Sequence, residues 1–305
     1  MRVLVTGATG FVGQHLVLLL RRSGVDTVLL VREAYGLGHP LPPSLSRIRR
    51  DLHLVFADLR NFRLTGRALS EAKPDTVIHL AAAGVTDPYL AIDTALRHNT
   101  VGTINLIRAA FAQDGSARQF IVARTPGEVN PSSAYQASKA AAWSFCQMFA
   151  NQEQWPICGA TIYQAYGPGQ PGHTLVPSAM TAARNGQNFP MTSGAQRRDW
   201  IHIDDVVEGL VALAQASVNP GTSADLGTGQ ATSLLDVVRA IYSFVGQGGA
   251  PLPGALADRP GEDREQIANV ELSRDLLDWQ PKIALKDGLR RLLQSDAQDR
   301  IPHES

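Results

Sequence analysis

The chain alternates short, almost wholly apolar runs with longer segments whose apolar residues recur at helical spacing. Apolar runs occur at residues 2–6 (RVLVT), 27–31, 52–56, 76–80, 119–123 and 157–163. Each is four to seven residues long, as a strand covered on both faces requires. Between them the pattern predicts helices over 11–22, 91–112 and 134–151. The first of these, FVGQHLVLLLRR, places cations in its last turn, with Gly24 just beyond it. Strands separated by helices mean crossover connections, and crossovers mean a parallel sheet. The expectation is an α/β fold, a Rossmann-type doubly wound parallel sheet.

After about residue 166 the rhythm changes. Glycine and proline crowd into YGPGQPGHTLVP, and shorter helices are predicted near 175–184, 204–215, 233–244 and 285–293. Residues 246–260 read as a loop, and 295–305 as a frayed tail. The predicted division is a dinucleotide-binding domain over 1–165, with a strand and helix returning from about 195–230, and a smaller mixed α/β substrate-binding cap over 166–305. The cap is expected over the carboxyl ends of the strands, where ligands bind in such sheets. A chain of 305 residues is long enough for two such parts.

Composition removes several classes. Lys plus Arg is 28 and Asp plus Glu is 28, so the chain lacks the basic excess of nucleic-acid binders. Apolar residues make up 44%, a globular proportion. No apolar run reaches the roughly 18 residues of a membrane span, and the N-terminus enters a strand pattern without a signal-like segment. Two cysteines, Cys146 and Cys158, make neither a disulfide framework nor a four-cysteine metal site, and both read as small buried groups. Eight histidines show no ligand spacing, so no metal is expected. A cytoplasmic protein with no nucleic-acid or membrane partner is the expectation.

GATGFVG, directly after the first strand and opening a helix, carries Gly7, Gly10 and Gly13. Its glycines suit a tight turn, the close approach of a phosphate and the packing of helix on strand. The helix N-terminus offers N–H groups to a pyrophosphate. Thr9, Phe11 and Val12 lie within the same cradle. The second strand ends in Val31-Arg32-Glu33, with no carboxylate at the strand end itself. Arg32 suits a 2′-phosphate, so NADP(H) is preferred; Glu33 keeps NAD open. Asp58 and Leu59 follow the third strand, where a carboxylate suits an adenine amino group and leucine its ring; an ordinary helix cap fits Asp58 as well. Leu80, Ala81, Ala82 and Ala83 end the fourth strand, small enough to let a cofactor lie against the backbone.

Tyr135 and Lys139 are four apart in SSAYQASKAAA and share one helix face. A free phenol titrates near pH 10. A neighbouring ammonium favours phenolate, and the expectation is that Lys139 lowers the Tyr135 pKa toward the range useful for proton transfer.

These residues resemble the extended short-chain dehydrogenase/reductase family of nucleotide-sugar epimerases, dehydratases and ketoreductases. The resemblance runs over nearly the whole chain, through GATGFVG, ADLR, HLAA, HNTVGTINLI, YQASK, YGPGQ, RRDWIHIDDVV, LGTGQATSL and the closing RPGED segment. It implies that Tyr135 is the acid/base, Lys139 its partner, and Asn99 the residue steadying the active-site helix and its water. It implies Thr125 as the hydroxyl facing the sugar oxygen. In the cap, Gln164, Arg198 and Arg259 would bind substrate, the arginines by clamping a nucleotide diphosphate. A nucleotide-diphosphate sugar is the implied partner, and a homodimer built on helices 91–112 and 134–151 the implied assembly.

Three departures from the family bear on chemistry. Thr125 precedes Tyr135 by only ten positions, so the connecting loop is short. Pro126 and Gly127 follow Thr125 where dehydratases carry an Asp-Glu pair, with Glu128 displaced by one. Thr161 and Gln164 stand where arginine and asparagine are usual. The expectation is an NAD(P)H-dependent ketoreductase acting on a nucleotide-linked 4-keto-6-deoxyhexose, with a 4-epimerase as the alternative. A 4,6-dehydratase is less favoured. A non-catalytic dinucleotide sensor is disfavoured by the presence of Tyr135 and Lys139.

Overall fold

A computed structural model describes residues 1–111 and 115–298. The chain forms two compact units. The first comprises residues 1–162, 207–224 and 272–279, and the second 163–206, 225–271 and 280–305. The segments that return to the first unit are thus 207–224 and 272–279, where the sequence suggested about 195–230.

The first unit is built on six parallel strands: β1 (Arg2–Thr6), β2 (Asp26–Val31), β3 (His53–Phe56), β4 (Thr76–His79), β5 (Gln119–Arg124) and β6 (Ile157–Ile162). Their spatial order is 3-2-1-4-5-6, and a seventh strand, Ser223–Leu226, pairs with β6 at the edge. The order reverses between β1 and β4, and in such sheets that reversal opens a crevice at the strands' carboxyl ends. Val3, Leu4 and Val5 of β1 and Val77 and Ile78 of β4 are completely buried, as central strands covered on both faces must be. Leu4, Leu106, Ile107, Phe120, Trp143 and Cys146 join one core cluster, which ties the sheet to the Gly102–Phe111 and Ala134–Gln152 helices.

Two local features differ from the sequence reading. A helix at Phe62–Ala72 went unpredicted; Asn61 caps it by accepting the Leu64 N–H at 3.2 Å, and Lys73 ends it at φ 44°. The predicted 91–112 helix begins at Ile92 and is interrupted by a π-helical segment over Leu96–Val101 before resuming at Gly102. Single π turns inside helices are frequent at functional sites, and this one carries Asn99.

In the second unit the Arg197–His202 strand pairs with Gln164–Tyr166, Ala231–Ser233 and Glu265–Gln266. The fully buried Asp199 holds this sheet. It accepts the backbone N–H of Thr228 (2.7 Å), Gly229 (2.8 Å) and Ala268 (3.1 Å) and the Thr228 hydroxyl (2.6 Å). Four donors replace the water that a buried carboxylate gives up. The helix from Leu285 runs to Gln298, past the predicted start of a frayed tail; residues 299–305 lie outside the described residues.

Candidate active site

The turn after β1 is shaped by its glycines. Gly7 has φ 69°, and a Cβ there would lie 2.6 Å from the backbone of Leu80 and Ala81. Only glycine fits the turn and lets the ends of β1 and β4 approach. A Cβ on Gly13 would sit 2.2 Å from the Gly7 carbonyl oxygen, so its absence lets helix α1 (Phe11–Arg22) lie on the turn. Gly10 is exposed and meets only the Gly7 oxygen, at 3.3 Å, leaving open space where a phosphate would approach. No side chain caps α1, and no acidic residue lies in its first turn. The positive end of the helix dipole is therefore available to an anion. Thr9, Phe11 and Val12 are partly exposed beside it, as are Leu80, Ala81 and Ala83; Ala82 is exposed. These residues fit a dinucleotide pyrophosphate.

Arg32 follows β2, extended and exposed. Asp58, half-buried after β3, is gripped by Arg60, whose Nε donates to both carboxylate oxygens at 2.9 Å. This fork holds the Asp58 carboxyl below the usual carboxylate range. The carboxylate expected to meet an adenine amino group is therefore already engaged. Burial, then the charges of Arg60 and Arg32, push His98 below its ordinary range. Arg97 lines a pocket with Asp58, Arg60, Asn61 and Val101.

Behind the turn runs a directed chain of hydrogen bonds. Thr103 Oγ1 donates to the Asn99 carbonyl (2.6 Å), so it accepts from His79 Nε2–H (2.9 Å). His79 Nδ1 then accepts from Thr6 Oγ1 (2.6 Å), which accepts the Ala81 N–H (3.3 Å). Full burial and the Lys139 charge push His79 down to about 3, which keeps it neutral. Asn99, 1% exposed, accepts the Ala83 N–H (2.8 Å) and donates to the Ala83 carbonyl (3.0 Å) and Ser138 Oγ (2.9 Å). One amide thus fastens the end of β4 to the helix that carries Tyr135 and Lys139. Thr100 adds a bond to the Ser138 carbonyl at 2.9 Å.

Tyr135 lies in the first turn of the Ala134–Gln152 helix, capped by Ser133. The phenol is half-buried and Lys139 is 4% exposed. Neither the hydroxyl nor the ammonium has a protein hydrogen-bond partner among the described residues. Burial first, and the Glu128 charge second, raise the Tyr135 pKa well above the ordinary phenol range. This corrects the expectation that Lys139 lowers it. Burial pushes Lys139 itself down, with Glu128 opposing. Thr125 follows β5 in extended conformation and caps a short turn, Pro126–Glu128, that ends in a buried carboxylate. Gly127 presses on this helix: a Cβ there would lie 2.3 Å from Gln136 Nε2. Sequence reasoning passed over His79, Thr6 and Ser138, though HLAA and YQASK contain two of them. Cys146 and Cys158 are buried, with thiols pushed up to about 12, and are inert.

The second unit contains the remaining candidates. Gln164 is exposed at the start of its strand and registers with Trp200. Arg198 is 6% exposed and fully committed: it donates to the carbonyls of Arg197 (2.9 Å) and Asp263 (3.0 Å) and pairs with Glu262 at 2.7 Å. It anchors the loop that bears Arg259 and does not present its guanidinium to solvent. Arg259 is exposed. Among the described residues no His, Cys, Asp or Glu group has metal-site geometry, and no helix is long and apolar enough to cross a membrane.

The family model for the NAD dependent epimerase/dehydratase family matches residues 3–227. The chain belongs to this family. It is 30% identical over 321 residues to a UDP-glucose 4-epimerase of Mycolicibacterium smegmatis, covering 96% of this chain and 98% of that protein. It is 28% identical over 331 residues to a dTDP-glucose 4,6-dehydratase of Neisseria gonorrhoeae, covering 96% and 94%. The solved structure of MoeE5 in complex with UDP-glucuronic acid and NAD is 27% identical and superposes with a TM-score of 0.84, covering 98% of this chain and all of that one. The protein is thus an enzyme of the extended short-chain dehydrogenase/reductase type.

Proposed function

We propose that this enzyme reduces the 4-keto group of a nucleotide-diphosphate-linked 4-keto-6-deoxyhexose, with NADP(H) as its cofactor. The observation that carries this reading is the placement of Tyr135 and Lys139 one turn apart on one helix face, neither bonded to another protein group among the described residues. A phenol so placed is free to give a proton to a sugar oxygen that is becoming an alcohol. When bound, the dinucleotide supplies the hydride. Tyr135 transfers its proton to the carbonyl oxygen, Lys139 stands beside the phenolate left behind, and Thr125 orients the oxygen with a hydroxyl that donates or accepts. Asn99 keeps the helix bearing both groups in register with the end of β4.

Elimination has less support. Glu128 is the carboxylate nearest in sequence to the dehydratase position, and both its oxygens are engaged, by Arg124 and the Thr125 N–H. Support for NADP(H) comes from Arg32 at the end of β2 and from Arg97 on the π turn, whereas Arg60 is committed to Asp58. MoeE5 is described with NAD, so NAD stays the alternative cofactor. Gln164 and Arg259 are proposed to contact the substrate, with Arg198 holding the Arg259 loop. A homodimer through the helices of residues 92–111 and 134–152 belongs to the same proposal.

A second reading is favoured by the relative that is 30% identical, a UDP-glucose 4-epimerase. An epimerase must first take a proton from the sugar hydroxyl, so it begins from the phenolate. Incubation with a panel of nucleotide sugars and 4-keto nucleotide sugars, with and without NADPH, separates the two. Stoichiometric loss of NADPH absorbance on a keto sugar is the expected result. Interconversion of two sugars without net consumption of dinucleotide would replace the reductase reading with the epimerase one.

A further inference from the structure

The segment between β2 and β3 leaves directly from Arg32 and returns to helix α1. Its first turn, Glu33–Tyr35, folds back so that the Tyr35 N–H donates to the Arg32 carbonyl at 3.0 Å. Gly36 then passes over the end of β3, where a Cβ on it would lie 3.2 Å from the Phe56 ring. Further on comes the short Pro43–Ser46 helix, in which Leu45 is fully buried. Its Ser44 Oγ donates to Gln14 Oε1 on α1 at 2.6 Å. The other end of the same amide, Gln14 Nε2, donates to the Thr9 carbonyl at 3.0 Å. That carbonyl belongs to the Thr9–Gly10 peptide, whose N–H donates to the Gly7 carbonyl, also at 3.0 Å. The peptide is held on both sides, and one glutamine side chain joins the glycine turn to the segment that follows Arg32.

We propose that Gln14 is a positioning residue for the dinucleotide, and that Ser44, Gln14 and Thr9 form a clasp through which the chain favours NADP(H) over NAD(H). The proposal rests on Arg32 meeting the 2′-phosphate. In a sheet of this order the pyrophosphate lies on the glycine turn and the adenosine ribose at the end of the second strand. Gln14 acts at both places. Its Nε2 fixes the peptide at Gly10, where the pyrophosphate approaches, and its Oε1 fixes the segment behind Arg32. An amide suits this post because it donates and accepts at once. A carboxylate would only accept, and would set a negative charge in the first turn of α1, against an incoming anion. Arg32 is exposed, and a cation on a loose backbone loses more freedom on gripping a phosphate than one whose backbone is already tied down. The clasp therefore acts on the two cofactors unequally. Ser44 restrains only the segment behind the 2′-phosphate, whereas Gln14 also holds the turn that both dinucleotides use.

The test measures dissociation constants for NADPH and NADH, by fluorescence titration, for the wild type, Ser44→Ala, Ser44→Thr, Gln14→Met and the variant carrying both Gln14→Met and Ser44→Ala. Ser44→Ala removes the donor to Gln14 and leaves Gln14 on Thr9. It should weaken NADPH about fivefold, the loss of one hydrogen bond, and NADH by less than about twofold. Ser44→Thr keeps the hydroxyl and should stay near the wild type with both. Gln14→Met loses both bonds, so both cofactors should weaken, NADPH the more. Adding Ser44→Ala to Gln14→Met should cause no further loss, because the hydroxyl then has no amide to hold. A second readout needs no cofactor: trypsin should cut after the exposed Arg47, Arg49 or Arg50 faster in Ser44→Ala than in the wild type. Equal effects of Ser44→Ala on NADPH and NADH, additive losses in the double variant, or an unchanged rate of cutting overturns the proposal. If Gln14→Met does not fold, the two Ser44 variants and the rate of cutting decide it. The cofactor reading beneath the proposal is judged separately by Arg32→Ala. If Arg32→Ala weakens the two dinucleotides equally, that reading fails; if it weakens NADPH selectively and Ser44→Ala does not, the clasp alone fails.

Discussion

Single residues fix the cofactor end. Gly7 and Gly13 were legible because the sequence places them between a strand and a helix, and the backbone contacts at each explain why no other residue fits. Gly13→Ala would force its Cβ against the Gly7 carbonyl at 2.2 Å. The expected cost is about 1–3 kcal/mol of stability together with weaker dinucleotide binding, measured by denaturant unfolding and by fluorescence titration. Unchanged values in both would remove the packing role. Arg32→Ala should weaken NADPH at least about tenfold more than NADH, the loss of one charge-assisted phosphate contact. Equal weakening of the two would show that Arg32 does not read the 2′-phosphate. Asp58 and Arg198 were legible as charged residues in suggestive places but not as engaged ones. Their partners, Arg60 in one case and Glu262 with the Asp263 carbonyl in the other, are set by side-chain rotamers and by a contact 64 positions away. Neither kind of information is carried by local pattern.

At the scale of elements, the helix with Tyr135 and Lys139 was read at its observed start, and Ser133 caps it there by accepting the Gln136 N–H at 3.3 Å. The π turn was not legible, since nothing in the spacing of LRHNTV separates it from an ordinary helical turn, and the partner of its Asn99 side chain, Ala83, lies 16 positions away. Asn99→Ala would leave the Ala83 N–H and carbonyl without that amide, and should cost about 2–4 kcal/mol in unfolding free energy. A loss below about 0.5 kcal/mol would mean the amide holds nothing. The Thr6–His79–Thr103 chain gives a pH prediction. Folded His79 titrates near 3 and the unfolded side chain near 6.5. The unfolded state therefore binds more protons between those values. The stability contribution is present above pH 6.5 and declines as pH falls toward 3, with a slope of up to about 1.4 kcal/mol per pH unit. Against the wild type, His79→Asn should show a shallower acid limb in urea unfolding; an identical limb would contradict burial of a neutral imidazole.

For the whole molecule, the parallel sheet followed from the alternation of apolar runs and helical segments, and its order places the glycine turn at the reversal between β1 and β4. The second unit was harder to read. Its strands are two to six residues long and its sheet is held by Asp199, a buried acid that pattern alone reads as surface charge. The exchange of segments between units was misplaced for the same reason: the Arg197–His202 strand joins the second unit, and the first unit resumes only at 207. The family and the enzyme type were read from motifs spread along the entire chain, whereas the bonds by which Asn99 and Thr100 hold the Tyr135 helix became visible only in the fold. The proposed role of that phenol is open to one decisive comparison. NADPH-dependent turnover of dTDP-4-keto-6-deoxyglucose is measured for the wild type and Tyr135→Phe, alongside the dissociation constant for NADPH. Turnover should fall at least about 10²-fold while the dissociation constant stays within about threefold. A phenylalanine variant with wild-type turnover would contradict the assignment of Tyr135 as the proton donor.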